Sequence, residues 1–244
     1  MKSSFKSAEN AGVWSGSMFW AVMVMSGGLI ICPDIEPWVQ PLLILASIAG
    51  IVVGVIGEVA QNRGNRLLRA SQLSDALGSG IGDPLRQDYY NSPLLPGIPR
   101  LASTTLENTL FTRRILEKME TKERITTFFY IAVFIVLLSS RKTPFPIVVF
   151  VVQTVFSADV ILSWWRMERY RIRVSQVHEQ LRQFFVQGGA AKKPNATAII
   201  LAAFTDYECA KDEASFPLSS SVFKAINPTV SAEWKQIKAT INLT

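Results

Sequence analysis

A carboxylate inside an apolar run is where this chain first suggests chemistry. The stretch VVFVVQTVFSADVILSWWRMERYR carries Gln153, Asp159 and Ser163 in a segment otherwise suited to lipid. An ionised side chain in a membrane span is costly, and it persists where it faces a bundle interior, a partner or water. Asp159 stands roughly two helical turns before Arg166 and just inside the pair Trp164 and Trp165, which suit an inner membrane interface. Ser163 and Arg166 fall on nearly the same helical side, so a polar stripe descends towards the charged residues beyond. Two chemistries fit this placement. In one, Asp159 pairs with a basic residue such as Arg166 and only anchors the helix. In the other, Asp159 with Gln153 above it lines a polar path between subunits, where rings of carboxylates favour cations.

The remaining residues offer no catalytic machinery. The chain has no phosphate-binding G-x-x-x-x-G-K-[ST] loop, no G-x-G-x-x-G after a strand, no H-E-x-x-H and no G-x-S-x-G. The glycine-rich GSGIG at 78–82 reads as a helix-ending loop. The single histidine, His178, reads as a surface residue on a charged helix. Tyr89 and Tyr90 read as buried anchors in a proline-rich loop. Cys32 and Cys209 are far apart with no C-x-x-C, which argues against a disulfide framework or a zinc site. The expectation is a protein that is not an enzyme and needs neither metal nor cofactor.

The elements that position Asp159 follow from hydropathy and charge. The 244 residues are 49% hydrophobic, with a net charge of +6 and a mean hydropathy of +0.24. A positive average hydropathy alongside 18% charged residues implies segregation into membrane spans and polar arms. Apolar runs at 12–32 and 42–59 are each near the roughly 20 helical residues that cross a bilayer, and they form a first hairpin. The first run is long for a secretory signal and lacks a clear cleavage site, so it reads as retained. Ala46, Gly50 and Gly54 recur every fourth residue on one face and allow another helix to approach closely, within the hairpin or between subunits. Runs at 125–140 and 147–165 form a second hairpin of two short spans, with a re-entrant hairpin as the alternative. Basic residues concentrate at 61–124, among them Arg63, Arg66, Arg69, Arg113 and Arg114, and again from Arg166 onward. The positive-inside rule then puts both termini and the central segment in the cytoplasm, although Arg141 and Lys142 fall in an outer turn.

The expected fold is therefore an all-α membrane protein with four transmembrane helices in two hairpins and cytoplasmic helical segments. It divides into a first hairpin (1–60), a cytoplasmic segment (61–124), a second hairpin (125–165) and a cytoplasmic helix with a small tail (166–244). In the central segment, Thr104 and Glu107 have capping-box spacing for a helix starting near there. After the fourth run, Met167, Tyr170, Val174, Val177, Leu181 and Phe184 follow an a/d heptad spacing. This stripe packs either on the chain's own central segment or on an oligomer or partner. Arg166, Arg169, Arg171 and Arg173, next to the membrane edge, favour anionic headgroups. The tail offers one helix at 196–214, a proline turn at Phe216 and Pro217, and an amphipathic piece around Phe223 and Trp234.

This layout resembles the four-transmembrane pore-forming effectors of bacterial conflict systems. The local echoes are QDYYN (87–91), LENTLFTRRILEKM (106–119) and FTDYECAKDEASFPLSSSVFKA followed by Trp234. The resemblance implies an inner-membrane effector of anti-phage defence that oligomerises and permeabilises or depolarises the membrane. Its partners would be the lipid bilayer, further copies of itself and a sensor protein or nucleotide signal, with no direct nucleic acid. The alternative is a membrane-anchored sensor or scaffold whose cytoplasmic helices bind a partner without forming a pore. A small transporter is a weaker third reading, because the chain shows no inverted repeat.

Overall fold

The computed structural model describes residues 2–31, 36–79, 92, 94–139, 144, 147, 160–188 and 195–241. All regular structure among them is helical: α1 (Lys2–Ile31), α2 (Glu36–Leu77), α3 (Ile98–Ser139), α4 (Val160–Val186), α5 (Ala196–Ala214) and α6 (Ser220–Thr240). The described chain separates into two compact units. Unit 1 comprises residues 62–120 and 166–244, and unit 2 comprises residues 2–61 and 121–165. Helices α2, α3 and α4 each contribute to both.

Unit 1 is a helical unit with an apolar interior. The first half of α3 lies at its centre, with every residue from Leu101 to Leu106 buried. A helix buried all round must still satisfy its polar side chains. Here they are small hydroxyls that bond back to their own helix. Thr105 Oγ1 donates to the Leu101 carbonyl at 2.7 Å and Thr109 Oγ1 to the Leu106 carbonyl at 2.8 Å. Thr104 Oγ1 likewise donates to the Leu101 carbonyl. The Thr104–Glu107 capping box is thus corrected: Thr104 lies inside a helix that starts at Ile98, with Pro99 in its first turn where a missing N–H costs little. Upstream, α2 ends at Gly78, whose φ of +68° lies in the left-handed region that glycine enters freely. There the Gly97 amide caps the Ala76 carbonyl at 2.6 Å.

Around α3, α4 buries Met167, Tyr170, Val174, Val177, Leu181 and Phe184, while α5 contributes Ile200, Phe204 and Tyr207 and α6 contributes Val230 and Trp234. The six heptad residues of α4 were expected either to pack on the chain's own segment or to form an oligomer or partner interface. They are buried in the core of their own unit, with Leu181 and Val174 fully buried. A stripe this deeply buried offers little area to a second chain.

Unit 2 is organised differently. Its α1 and α2 run antiparallel along small residues. A Cβ placed on Gly57 would lie 2.9 Å from Ala11 Cβ, one on Gly54 3.7 Å from Ser15 Oγ, and one on Gly50 3.7 Å from Met18 Cβ. Glycine is needed at Gly57 because no side chain fits that approach. Gly50 and Gly54 therefore face the chain's own hairpin partner; Ala46, one turn earlier, is half-buried. Outward, α2 exposes Trp38, Leu42, Leu45, Ile48, Ile51, Val55 and Val59. On α3, Ile125, Phe128, Phe129, Ile135 and Val136 are exposed, as are Trp14, Trp20 and Val24 of α1. Among the described residues, the stretch Trp38–Leu77 of α2 is the one long and apolar enough to cross a membrane, and none of its most apolar part is buried.

Candidate functional site

The polar candidates of the fourth apolar run divide at the edge of the described residues. Gln153 and Asp159 lie outside them, as do Tyr89, Tyr90 and Cys32. Ser163 is exposed on α4. Beside it, the Trp164 ring packs 6.5 Å from Phe128 of α3. The Trp164 indole N–H is buried without a hydrogen-bond partner among the described residues. Trp165 is half exposed.

Unit 1 holds a polar interior that sequence reasoning missed. On α2, Asn65 and Arg69 stand four residues apart and so share a face. On α5, Glu208 and Asp212 do the same. The Arg69 guanidinium joins the pairs: Nε donates to Glu208 at 2.9 Å and an Nη to Asp212. The Asn65 amide donates to Asp212 at 3.3 Å, and Lys211 Nζ donates to Glu208 at 2.6 Å. Glu208 is 4% exposed and Lys211 14% exposed, so both charges are largely withdrawn from water. Two cations face two anions, which closes the charge balance. Burial pulls the Lys211 ammonium below its usual range, against the opposing pull of Glu208. The cluster is a clamp between α2 and α5, with no group left over to react.

Two smaller contacts lie along α3. The Gln72 amide donates to Thr105 Oγ1 and accepts from Asn108, each at 3.1 Å. Thr112 Oγ1 and the Tyr207 hydroxyl lie 3.0 Å apart. Burial, then the neighbouring Tyr207 and Glu208, push the Tyr170 phenol well above its usual range.

His178 is not on the surface, as its charged helix suggested, but is 3% exposed against α3. Its Nδ1 lies 3.1 Å from Thr109 Oγ1. The Thr109 hydroxyl proton already goes to the Leu106 carbonyl, so the ring must be the donor and carry its proton on Nδ1. Burial first, then the nearby Arg113, lower the imidazole to about 4. His178 is a neutral donor in the core, without access to a substrate.

The arginines also have local work. Arg171 contacts Glu120 at 2.8 Å and Glu168 at 2.6 Å, and Arg173 contacts Glu213 at 2.6 Å. Both were expected among the basic residues at the membrane surface, and both are ion-paired, because α3 and α5 bring carboxylates to the same side of α4. Arg166 and Arg169 are more exposed, Arg169 reaching Glu213 at 3.5 Å.

A single sequence holds a partial signal for the α2–α5 clamp. The i, i+4 pairs Asn65/Arg69 and Glu208/Asp212 are visible, but nothing in it says that segments 139 residues apart meet. Among the described residues, no group of three metal-binding side chains converges. No family model matches the chain, and neither a curated protein nor a solved structure matches it.

Proposed function

We propose that this chain is an integral membrane effector, with unit 2 in the bilayer and unit 1 in the cytoplasm. The observation that carries the membrane half is the outward apolar face of unit 2. Large apolar patches on a soluble monomer are rare. A helix whose apolar span turns its large side chains outward needs lipid or protein to cover them. Small residues at the α1–α2 crossing support lipid as that cover, because helices in a bilayer associate through close packing rather than apolar burial. Four spans in two hairpins, with both termini inside a bacterial inner membrane, complete the topology that the arginine distribution favours.

The effector half extends the architectural resemblance. When triggered by a partner or signal through unit 1, copies of the chain assemble and permeabilise or depolarise the membrane as part of anti-phage defence. Asp159 and Gln153 are the residues proposed for the polar path. Membrane potential, read with a voltage-sensitive dye in bacteria expressing the chain with its genomic neighbours, tests this. Prompt depolarisation that Asp159→Leu abolishes at equal expression is expected. An unchanged potential in every combination, including under phage challenge, overturns it.

One observation favours the second reading, a membrane-anchored scaffold. Gln176, Glu179, Gln180 and Gln183 of α4, with Gln187 just beyond it, line an open groove of about 520 Å³ with Phe184 and Ile199. Its amides could hydrogen-bond a partner's polar surface. In that case the partner co-purifies with the chain while the potential does not move.

A further inference from the structure

Two arginines meet one carboxylate where α4 begins its course through unit 1. Arg166, Arg169 and Arg173, at i, i+3 and i+7, line a small notch with Tyr170, and α5 closes it with Ala210, Glu213 and Ala214. The notch measures about 30 Å³, room for roughly one water. Glu213 lines it 2.6 Å from Arg173 and 3.5 Å from Arg169. The Glu213 side chain is itself 53% exposed, so it can swing into solvent without unfolding α5. Arg173 holds the Glu213 carboxyl below the usual carboxylate range. Asp206, also on α5, adds a weaker negative field at Arg173. Once Glu213 leaves, Arg169 and Arg173 present guanidinium forks that match phosphate oxygens in geometry.

We infer that this notch binds the phosphate of an acidic phospholipid headgroup, with Glu213 as the internal anion that the phosphate displaces. The inference rests on the reading that unit 2 lies in a bilayer, and it specifies the lipid that unit 1 engages. Lipid is the favoured source of phosphate because the arginines directly follow Trp164 and Trp165, aromatic residues of the kind that sit at headgroup level. Arg166 also opens the unit 1 portion of α4, at the Trp165/Arg166 division between the two units. Displacement follows from size, since a notch holding about one water admits a phosphate only when the carboxylate leaves. Lipid binding then removes a contact between α4 and α5, so headgroup composition acts on how α5 is held.

The test is native mass spectrometry of the full-length chain released from detergent, with dioctanoyl phosphatidylglycerol, dioctanoyl phosphatidylcholine or inorganic phosphate added. Wild-type protein should retain the glycerol lipid over the choline lipid. Arg169→Gln with Arg173→Gln should lower that retention about five-fold per arginine. Glu213→Gln should raise it, and the Lys pair Arg169→Lys with Arg173→Lys should keep only part of it, provided circular dichroism shows unchanged helix. A Glu213→Gln chain that binds no better than wild type overturns the displacement. Equal retention of both lipids, or inorganic phosphate competing as well as the glycerol lipid, overturns the headgroup assignment. Extraction of the chain from membranes without detergent instead marks failure of the membrane reading itself.

Discussion

Leu181 and Leu45 are the same side chain on helices of the same protein, yet Leu181 is fully buried and Leu45 is 63% exposed. Around Leu181, unit 1 places apolar residues inside and ion pairs such as Arg114–Glu233 outside. Around Leu45, unit 2 points its apolar residues outward and brings α1 and α2 together on glycine and alanine. Water drives the first arrangement, because apolar area removed from it lowers the free energy by about 25 cal/mol per Å². In lipid that drive vanishes between helices, and contact must come from backbones that can approach closely. The same alphabet is used with opposite polarity, so the two units answer mutations by different rules.

The largest expected effect is in the unit 1 clamp. Glu208→Ala leaves Lys211 and Arg69 without their shared partner and should cost about 3 kcal/mol, since removing one member of a buried charge pair strands the other. Denaturant unfolding of the full chain in mild detergent, followed by circular dichroism, reads this. A change under ~1 kcal/mol would mean the clamp is as weakly coupled as a surface pair. The leucine pair gives a direct contrast. Leu181→Ala should cost about 3 kcal/mol through its cavity, and Leu45→Ala well under ~1 kcal/mol in the same detergent. Equal losses would mean that unit 2 is packed like unit 1.

Acid should act on unit 1 selectively. The His178 pKa is depressed from its ordinary 6.5 to about 4, so below the higher value the unfolded chain takes up a proton that the fold refuses. The stability contributed by the neutral ring is present above pH ~6.5 and is lost as pH falls towards about 4, with about 2 kcal/mol gone between pH 7 and pH 5. His178→Gln should flatten that slope, and an unchanged slope would remove His178 from the account. A smaller effect than those in unit 1 is expected at the helix crossing of unit 2. Gly57→Ala puts a methyl 2.9 Å from Ala11 Cβ, and separating the helices to fit it should cost about 1 kcal/mol. Protease sensitivity of the α1–α2 hairpin measures this, and Ala11→Gly in the same chain should restore resistance.

What could be read in advance was what repeats locally. Apolar runs, the glycine spacing at Gly50 and Gly54, and the heptad stripe of α4 are all short-range patterns. Their partners are not. Nothing in the spacing of Met167 to Phe184 distinguishes a neighbouring chain from α3 and α5, and the charged residues around His178 suggested exposure although its ring faces Thr109. Sequence boundaries drawn at 60/61, 124/125 and 165/166 stand beside divisions at Gln61/Asn62, Glu120/Thr121 and Trp165/Arg166. The middle one differs because charge suggested that Glu123 and Arg124 belong to the polar segment, whereas α3 carries them straight into unit 2. The start of α3 was missed because Pro99 reads as a breaker but is harmless in a first turn.

The central claim is that unit 2 lies in lipid while unit 1 faces the cytoplasm. Cys209, exposed on α5, and a cysteine introduced as Ile51→Cys on α2 test it in one chain with Cys32→Ser. A membrane-impermeant maleimide is applied to right-side-out and inverted inner-membrane vesicles. The account predicts that Cys209 labels only in inverted vesicles and that position 51 labels in neither until detergent is added. Labelling of position 51 in intact vesicles at the rate of Cys209, or of Cys209 from the outside, would contradict it.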